Sequence, residues 1–138
     1  MASILGRILM SVGAVGTSIV PYLADWNKHH NFGPGFSAHA RLHATESVFT
    51  STAMGLVALW LIWKRPQTDR ATTRAVAALI PIIHWGTYNF AALVPTTAVD
   101  DDGMRVPRIF GFLPVNLMVQ NLIALMSVVG YVLDARNR

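Results

Sequence analysis

Ile4-Leu5-Gly6-Arg7-Ile8-Leu9-Met10-Ser11-Val12-Gly13-Ala14-Val15-Gly16-Thr17-Ser18-Ile19-Val20-Pro21-Tyr22-Leu23-Ala24 carries a single charged side chain. Crossing a bilayer as a helix takes about 20 predominantly apolar residues, so this run predicts a membrane span. It is too long for the apolar core of a signal peptide, and no small-residue cleavage pattern precedes Asp25. Gly13 and Gly16, with Ser11, Thr17 and Ser18, offer a small-residue face for close helix packing. Pro21 falls in the last turn, where it can kink the helix.

Three further apolar runs follow, at residues 44–64, 72–94 and 109–133. The second closes on Trp60 and Trp63, aromatic side chains suited to a membrane interface, and Pro66 stops it. A short polar linker, Gln67 to Arg70, leads into the third. The expected fold is all-α: an integral membrane four-helix bundle forming one domain over residues 1–138. Composition agrees, since 13% of the residues are charged where soluble domains carry roughly a quarter. With no cysteine, disulfides, thiolate metal sites and cysteine nucleophiles are excluded.

The net charge of +4 would point to nucleic acid only if the basic residues formed a patch. They lie instead at the ends of the apolar runs. Arg7, Lys64, Arg65, Arg70, Arg74, Arg136 and Arg138 fall on one side, and Lys28, Arg41, Arg105 and Arg108 on the other. Positive charge accumulates on the cytoplasmic side, so both termini are expected in the cytoplasm, with loops 25–43 and 95–108 on the non-cytoplasmic side.

The first of those loops belongs to the most polar stretch of the chain, Asp25-Trp26-Asn27-Lys28-His29-His30-Asn31-Phe32-Gly33-Pro34-Gly35-Phe36-Ser37-Ala38-His39-Ala40-Arg41-Leu42-His43-Ala44-Thr45-Glu46, which holds four of the five histidines. Ionisable groups beside membrane spans are costly to dehydrate, which makes them functional candidates by default. The third and fourth runs add polar groups of their own. His84 and Tyr88 stand four apart, as do Asn116 and Gln120, so each pair shares a helix face. Counted at about 1.5 Å per residue from the outer ends of their runs, His84 and Gln120 reach mid-membrane. A polar pocket in the outer half of the bundle is the expectation.

Asn, Gln, Ser, Thr and His also hold bundles together by interhelical hydrogen bonds, a reading preferred for Asn121, Thr50 and Ser51. For His84 and Glu46 the functional reading is preferred, because both are ionisable. Pro81 and Pro114 read as kinks in their helices. Arg41 is available to pair with Asp25, Glu46 or the Asp100-Asp101-Asp102 run, itself most simply a solvated turn.

Two chemistries fit these residues. His39, His43 and Glu46 are spaced four and three apart, one face of a helix, and would suit a transition metal held by imidazole and carboxylate. The trio lacks the zincin order, so no metal cofactor is favoured. The preferred chemistry is metal-free proton transfer by Glu46, His43, Asp25 and His84. His39, Trp26, Trp85, Tyr88, Asn89, Asn116 and Gln120 would bind and orient the substrate, by hydrogen bonds or by aromatic contact with a developing cation. Such a site suits isomerisation, cyclisation or epoxide opening of a lipophilic molecule that is isoprenoid, sterol-like or polyketide-derived.

A first span ending near an acidic residue, a loop with Trp26, Asn31 and Pro34, and Glu46 opening the second span resemble the EXPERA family of sterol isomerase-like and sigma-2-receptor-like small membrane proteins. In that family a histidine and acidic residues in a membrane cavity shift protons on a carbocation-like substrate. The resemblance implies that role for Glu46, with His43 and Asp25 beside it. The run His39-Ala40-Arg41-Leu42-His43 has no counterpart there. The leading expectation is therefore a membrane-embedded acid–base enzyme of isomerase or cyclase type. A metal-dependent oxidoreductase and a non-catalytic lipid- or ligand-binding protein are the alternatives. The expected partners are a lipophilic small molecule and the lipid bilayer, without nucleic acid and compatible with an oligomer.

Overall fold

The computed structural model describes residues 3–64, 69–100 and 104–136. Among them are four helices, α1 (Ile4–Asp25), α2 (Ala38–Lys64), α3 (Arg70–Ala91) and α4 (Val115–Arg136). A small antiparallel hairpin, β1 (Arg108–Ile109) with β2 (Leu113–Pro114), precedes α4. The expected helix stop at Pro66, the first half of the linker, Arg65, Asp101, Asp102 and Arg138 lie outside the described residues.

The helix ends explain where the boundaries depart from the sequence expectation. Ser37 Oγ accepts the Ala40 N–H at 3.1 Å, an N-cap that starts α2 six residues early and makes His39 and His43 helical. Asp69 caps α3 by accepting the Thr72 N–H at 3.0 Å, which holds its carboxyl below the usual carboxylate range. That helix ends at Ala91, before Val94, because the Thr97 hydroxyl donates to Ala91 O and Val94 O, both at 2.9 Å, as the chain turns away. The start of α4 moves from residue 109 to Val115. Phe110 and Gly111 have φ of 54° and 78°, successive left-handed residues that fold 108–114 into the hairpin. Pro114 therefore closes β2 and does not kink the helix. Asp100 is not a simple solvated turn either: it accepts Arg108 Nη2 at 2.7 Å and Nη1 at 3.1 Å, and the Val106 N–H at 2.9 Å.

Each helix runs antiparallel to the next and α4 returns against α1, so the four close a square, with α1 touching all three others. Small residues set the close approaches. A Cβ added at Gly6 would lie 2.6 Å from Asp134 N, and one at Gly13 would overlap Ser127 of α4. Across the α1–α2 seam, Ser18 Oγ donates to Thr52 O and Thr52 Oγ1 to Ser18 O, each at 3.2 Å. Met10, Ala14, Ala58, Ile62, Ala77 and Ala78 fill the centre.

The outside of the bundle is apolar: Leu5, Val12, Ile19, Leu56, Leu79 and Leu125 are all exposed. Helices α1, α2 and α4 are each long and apolar enough to cross a membrane. The third helix falls short of that mark because it carries Thr72, Thr73, Arg74, His84, Thr87, Tyr88 and Asn89. Several of those groups turn inward. Arg74 and Asp134, expected at the membrane edge and in a polar tail, meet between α3 and α4 as a buried ion pair 2.6 Å apart.

Candidate functional site

The loop from Trp26 to Ser37 folds through its own side chains. Asn27 Oδ1 accepts the N–H groups of His29 and His30 at 2.8 and 3.1 Å, and Asn27 Nδ2 caps Ala24 O at 2.7 Å. Asp25 O accepts the N–H groups of Asn27 and Asn31. Trp26 packs among Tyr22, Phe32 and Phe49, with the nearest ring, that of Phe32, edge-on at a centroid distance of 5.1 Å, and pins the loop to α2. Arg41 meets none of the described carboxylates offered to it, Asp25, Glu46 and Asp100, and instead donates to Asn31 O and Phe36 O. It too serves the loop's shape.

At the end of the bundle that carries this loop, opposite the chain termini, the helices line a cavity of about 400 Å³. That volume is within the range that encloses small organic ligands. Every helix contributes to the wall: Asp25 from α1, Ser47 from α2, His84, Trp85 and Tyr88 from α3, and Asn116 and Gln120 from α4. Val20, Pro21, Ala24 and Ala91 supply apolar surface. Trp85 is buried, its Nε1 donating to Thr17 Oγ1 at 3.0 Å, and the His84 ring stands edge-on to it at 4.7 Å. Gln120 is 7% exposed, and its Oε1 is buried without a hydrogen-bond partner among the described residues. With α4 starting at Val115 and α3 ending at Ala91, Gln120 and His84 lie only about 8 and 10 Å from those helix ends. The cavity therefore lies nearer the helix ends than the sequence expectation placed it.

Six expected site residues, Asp25, His84, Trp85, Tyr88, Asn116 and Gln120, thus share one cavity. The others sit elsewhere. The buried stripe of α2 runs Val48, Ser51, Gly55, Ala58 and Ile62, three and four apart. Glu46 lies roughly 200° around the helix from Val48 at 100° per residue, so it faces outward and accepts Thr50 Oγ1 at 2.6 Å. His39 and His43 are exposed, with their Nε2 atoms 3.1 Å apart. Among the described residues no three metal-ligating side chains converge. Asn89 exchanges reciprocal 3.1 Å amide hydrogen bonds with Asn121, tying α3 to α4. Trp26 packs the loop.

Sequence reasoning did not single out Ser47, Thr87 or the Val20–Ala24 wall. A signal for Ser47 was present: it flanks the Val48–Ser51–Gly55 stripe of small residues, which marks the inward face of α2.

Residues 9–138 match the model of a family described as "Family of unknown function (DUF6640)", and the chain belongs to that family. No curated protein and no solved structure matches it.

Proposed function

We propose that this member of a family of unknown function is a four-span membrane enzyme that moves protons on a lipophilic small molecule bound in the cavity at the 26–37 loop end of the bundle. The observation that carries the proposal is that Asp25 and His84, a carboxyl and an imidazole, line one small cavity whose remaining wall mixes amides and a phenol with apolar surface. An acid and a base around one substrate are the minimum for moving a double bond, opening an epoxide or closing a ring.

In this reading α3 crosses the bilayer with the three more apolar helices, its polar side chains sheltered within the bundle. Arg7, Lys64, Arg70 and Arg136 cluster where α1 and α3 begin and α2 and α4 end, which supports cytoplasmic termini. The cavity and loops 25–43 and 95–108 then lie on the opposite side. A substrate carbon or epoxide oxygen takes a proton from the protonated member of the Asp25–His84 pair. Its partner removes a proton from an adjacent carbon or from the attacking hydroxyl. Tyr88, Asn116 and Gln120 orient the substrate's oxygen, and the Trp85 ring borders the carbon that becomes electron-poor. An isoprenoid, sterol-like or polyketide-derived molecule has both the apolar bulk and the few polar atoms that this wall matches. The EXPERA-like reading places its acid at Glu46; the cavity favours Asp25 in that role.

The test is mass spectrometry of the lipophilic molecule that co-purifies in detergent, followed by incubation of the complex in D2O. Deuterium entering a carbon of that molecule, lost in Asp25→Asn and in His84→Ala, is the expected result. A bound molecule that exchanges no carbon-bound hydrogen and undergoes no epoxide opening or ring closure on incubation overturns catalysis and leaves a carrier or receptor. The partnerless Gln120 Oε1 favours that second reading equally, since it asks only for a ligand.

A further inference from the structure

A second concavity, of about 530 Å³, runs along the outer face of α1 and shares only Val20 with the cavity above. Ile8, Val12, Val15 and Ile19 line its length, Trp63 of α2 forms one wall and Ile123 of α4 the other. Gly16 leaves room beside Ile123, for an added Cβ would lie 3.0 Å from Ile123 Cδ1. From Ile8 to Ile19 the groove covers about 16 Å at 1.5 Å per residue, close to the hydrocarbon depth of one leaflet, about 15 Å.

Its end near the chain termini is polar and positive. Arg7 lies one turn before Ser11, with its guanidinium carbon 5.9 Å from the centroid of the Trp63 ring. Trp63 Nε1 donates to Ser11 Oγ at 3.0 Å, which fixes the indole at the groove's mouth. Arg7 has no acidic partner among the described residues, and its Nε is buried without a hydrogen bond. Lys64, Arg70 and Arg136 stand at the same end, where the described carboxylates are Asp69, already capping α3, and Asp134, already paired with Arg74.

We infer that this groove holds one acyl chain of an acidic phospholipid, with its net-anionic headgroup on the Arg7 guanidinium. Charge complementarity selects the occupant: an apolar trough one leaflet deep ends at an arginine without a counter-ion among the described residues. A second copy of this chain would bring its own Arg7 to the interface and leave both cations uncompensated. The inference rests on the membrane placement proposed above and is independent of the cavity's chemistry.

The test is native mass spectrometry of the full chain released from detergent micelles titrated with phosphatidylserine or phosphatidylcholine. The wild type is expected to retain phosphatidylserine about fivefold better, the size of one basic residue's interaction with anionic lipid. Arg7→Gln should erase that preference, Arg7→Lys should keep most of it, and Val15→Trp, which fills the trough, should lower retention of both lipids. Equal retention of the two lipids by the wild type, an undiminished preference in Arg7→Gln, or a lipid-free dimer disrupted by Val15→Trp each overturns the site. A chain that stays soluble without detergent overturns the membrane placement as well. Bilayer insertion without lipid selectivity overturns this inference alone.

Discussion

Arg74 Nε donates to Asp134 Oδ2 at 2.6 Å across the α3–α4 seam, with Asp134 fully buried and Arg74 7% exposed. Two charges withdrawn from water are tolerable only as a pair. Removing one partner leaves the other buried and uncompensated, at a cost of about 3–5 kcal/mol, whereas replacing both by apolar side chains of similar volume is close to neutral. Asp134→Asn and Arg74→Met should each lower the thermal midpoint in detergent strongly. The double variant Arg74→Met/Asp134→Leu should recover most of the loss. Single variants as stable as the wild type would show that the pair is solvated.

Gly6 allows α1 to lie against the Gly130–Asp134 backbone. A side chain there must push the helices apart beside that same ion pair. Gly6→Val is expected to destabilise by about 1–3 kcal/mol, the usual range for overpacking. Thermal melts in detergent read the change, and an unchanged midpoint would mean that the α1–α4 contact is looser than these distances imply.

The four-helix plan was legible because three apolar runs and one mixed run can each bury enough surface only as helices. Their ends were less legible, because they depend on single polar side chains and backbone angles. The Ser37 cap, the Thr97 cap and the left-handed Phe110–Gly111 pair moved three boundaries, and each is invisible to apolar periodicity. The α3 and α4 components of the cavity were readable from i, i+4 spacing, since His84 with Tyr88 and Asn116 with Gln120 do share its wall. Glu46 was harder to place: it is ionisable and opens the helix by composition, but the inward face of α2 is marked by the smaller Ser51, Gly55 and Ala58. The Arg74–Asp134 contact spans sixty residues of sequence and has no local signature at all.

The reciprocal amide bonds of Asn89 and Asn121 tie the same two helices at the cavity end. Interhelical polar pairs in bilayers contribute about 0.6 kcal/mol on average and up to about 1.7. A double-mutant cycle of Asn89→Ala and Asn121→Ala, read by unfolding, should give a coupling in that range with ligand retention little changed. Loss of the co-purifying molecule in Asn89→Ala alone would move Asn89 into the binding site.

Outside the spans, the hairpin loop carries its own pH dependence. The Arg108 guanidinium and the Val106 N–H hold the Asp100 carboxyl below the usual carboxylate range, while Asp100 raises Arg108 further above its ordinary value. A carboxyl with a depressed folded-state pKa contributes stability that is present above its unfolded pKa, about 4, and fades as pH falls through the lower folded value. Arg108 stays charged throughout, so the window belongs to Asp100. Amide protection at Val106 and around β1–β2, taken against the intrinsic exchange rate at each pH, should therefore be high at neutral pH and fall as the pH drops below about 4. In Asp100→Asn the protection should be lower at neutral pH and nearly flat across the acid range. A wild-type hairpin whose exchange protection is the same at both pH values would show that the ion pair does not hold the loop, and that the Phe110–Gly111 turn suffices.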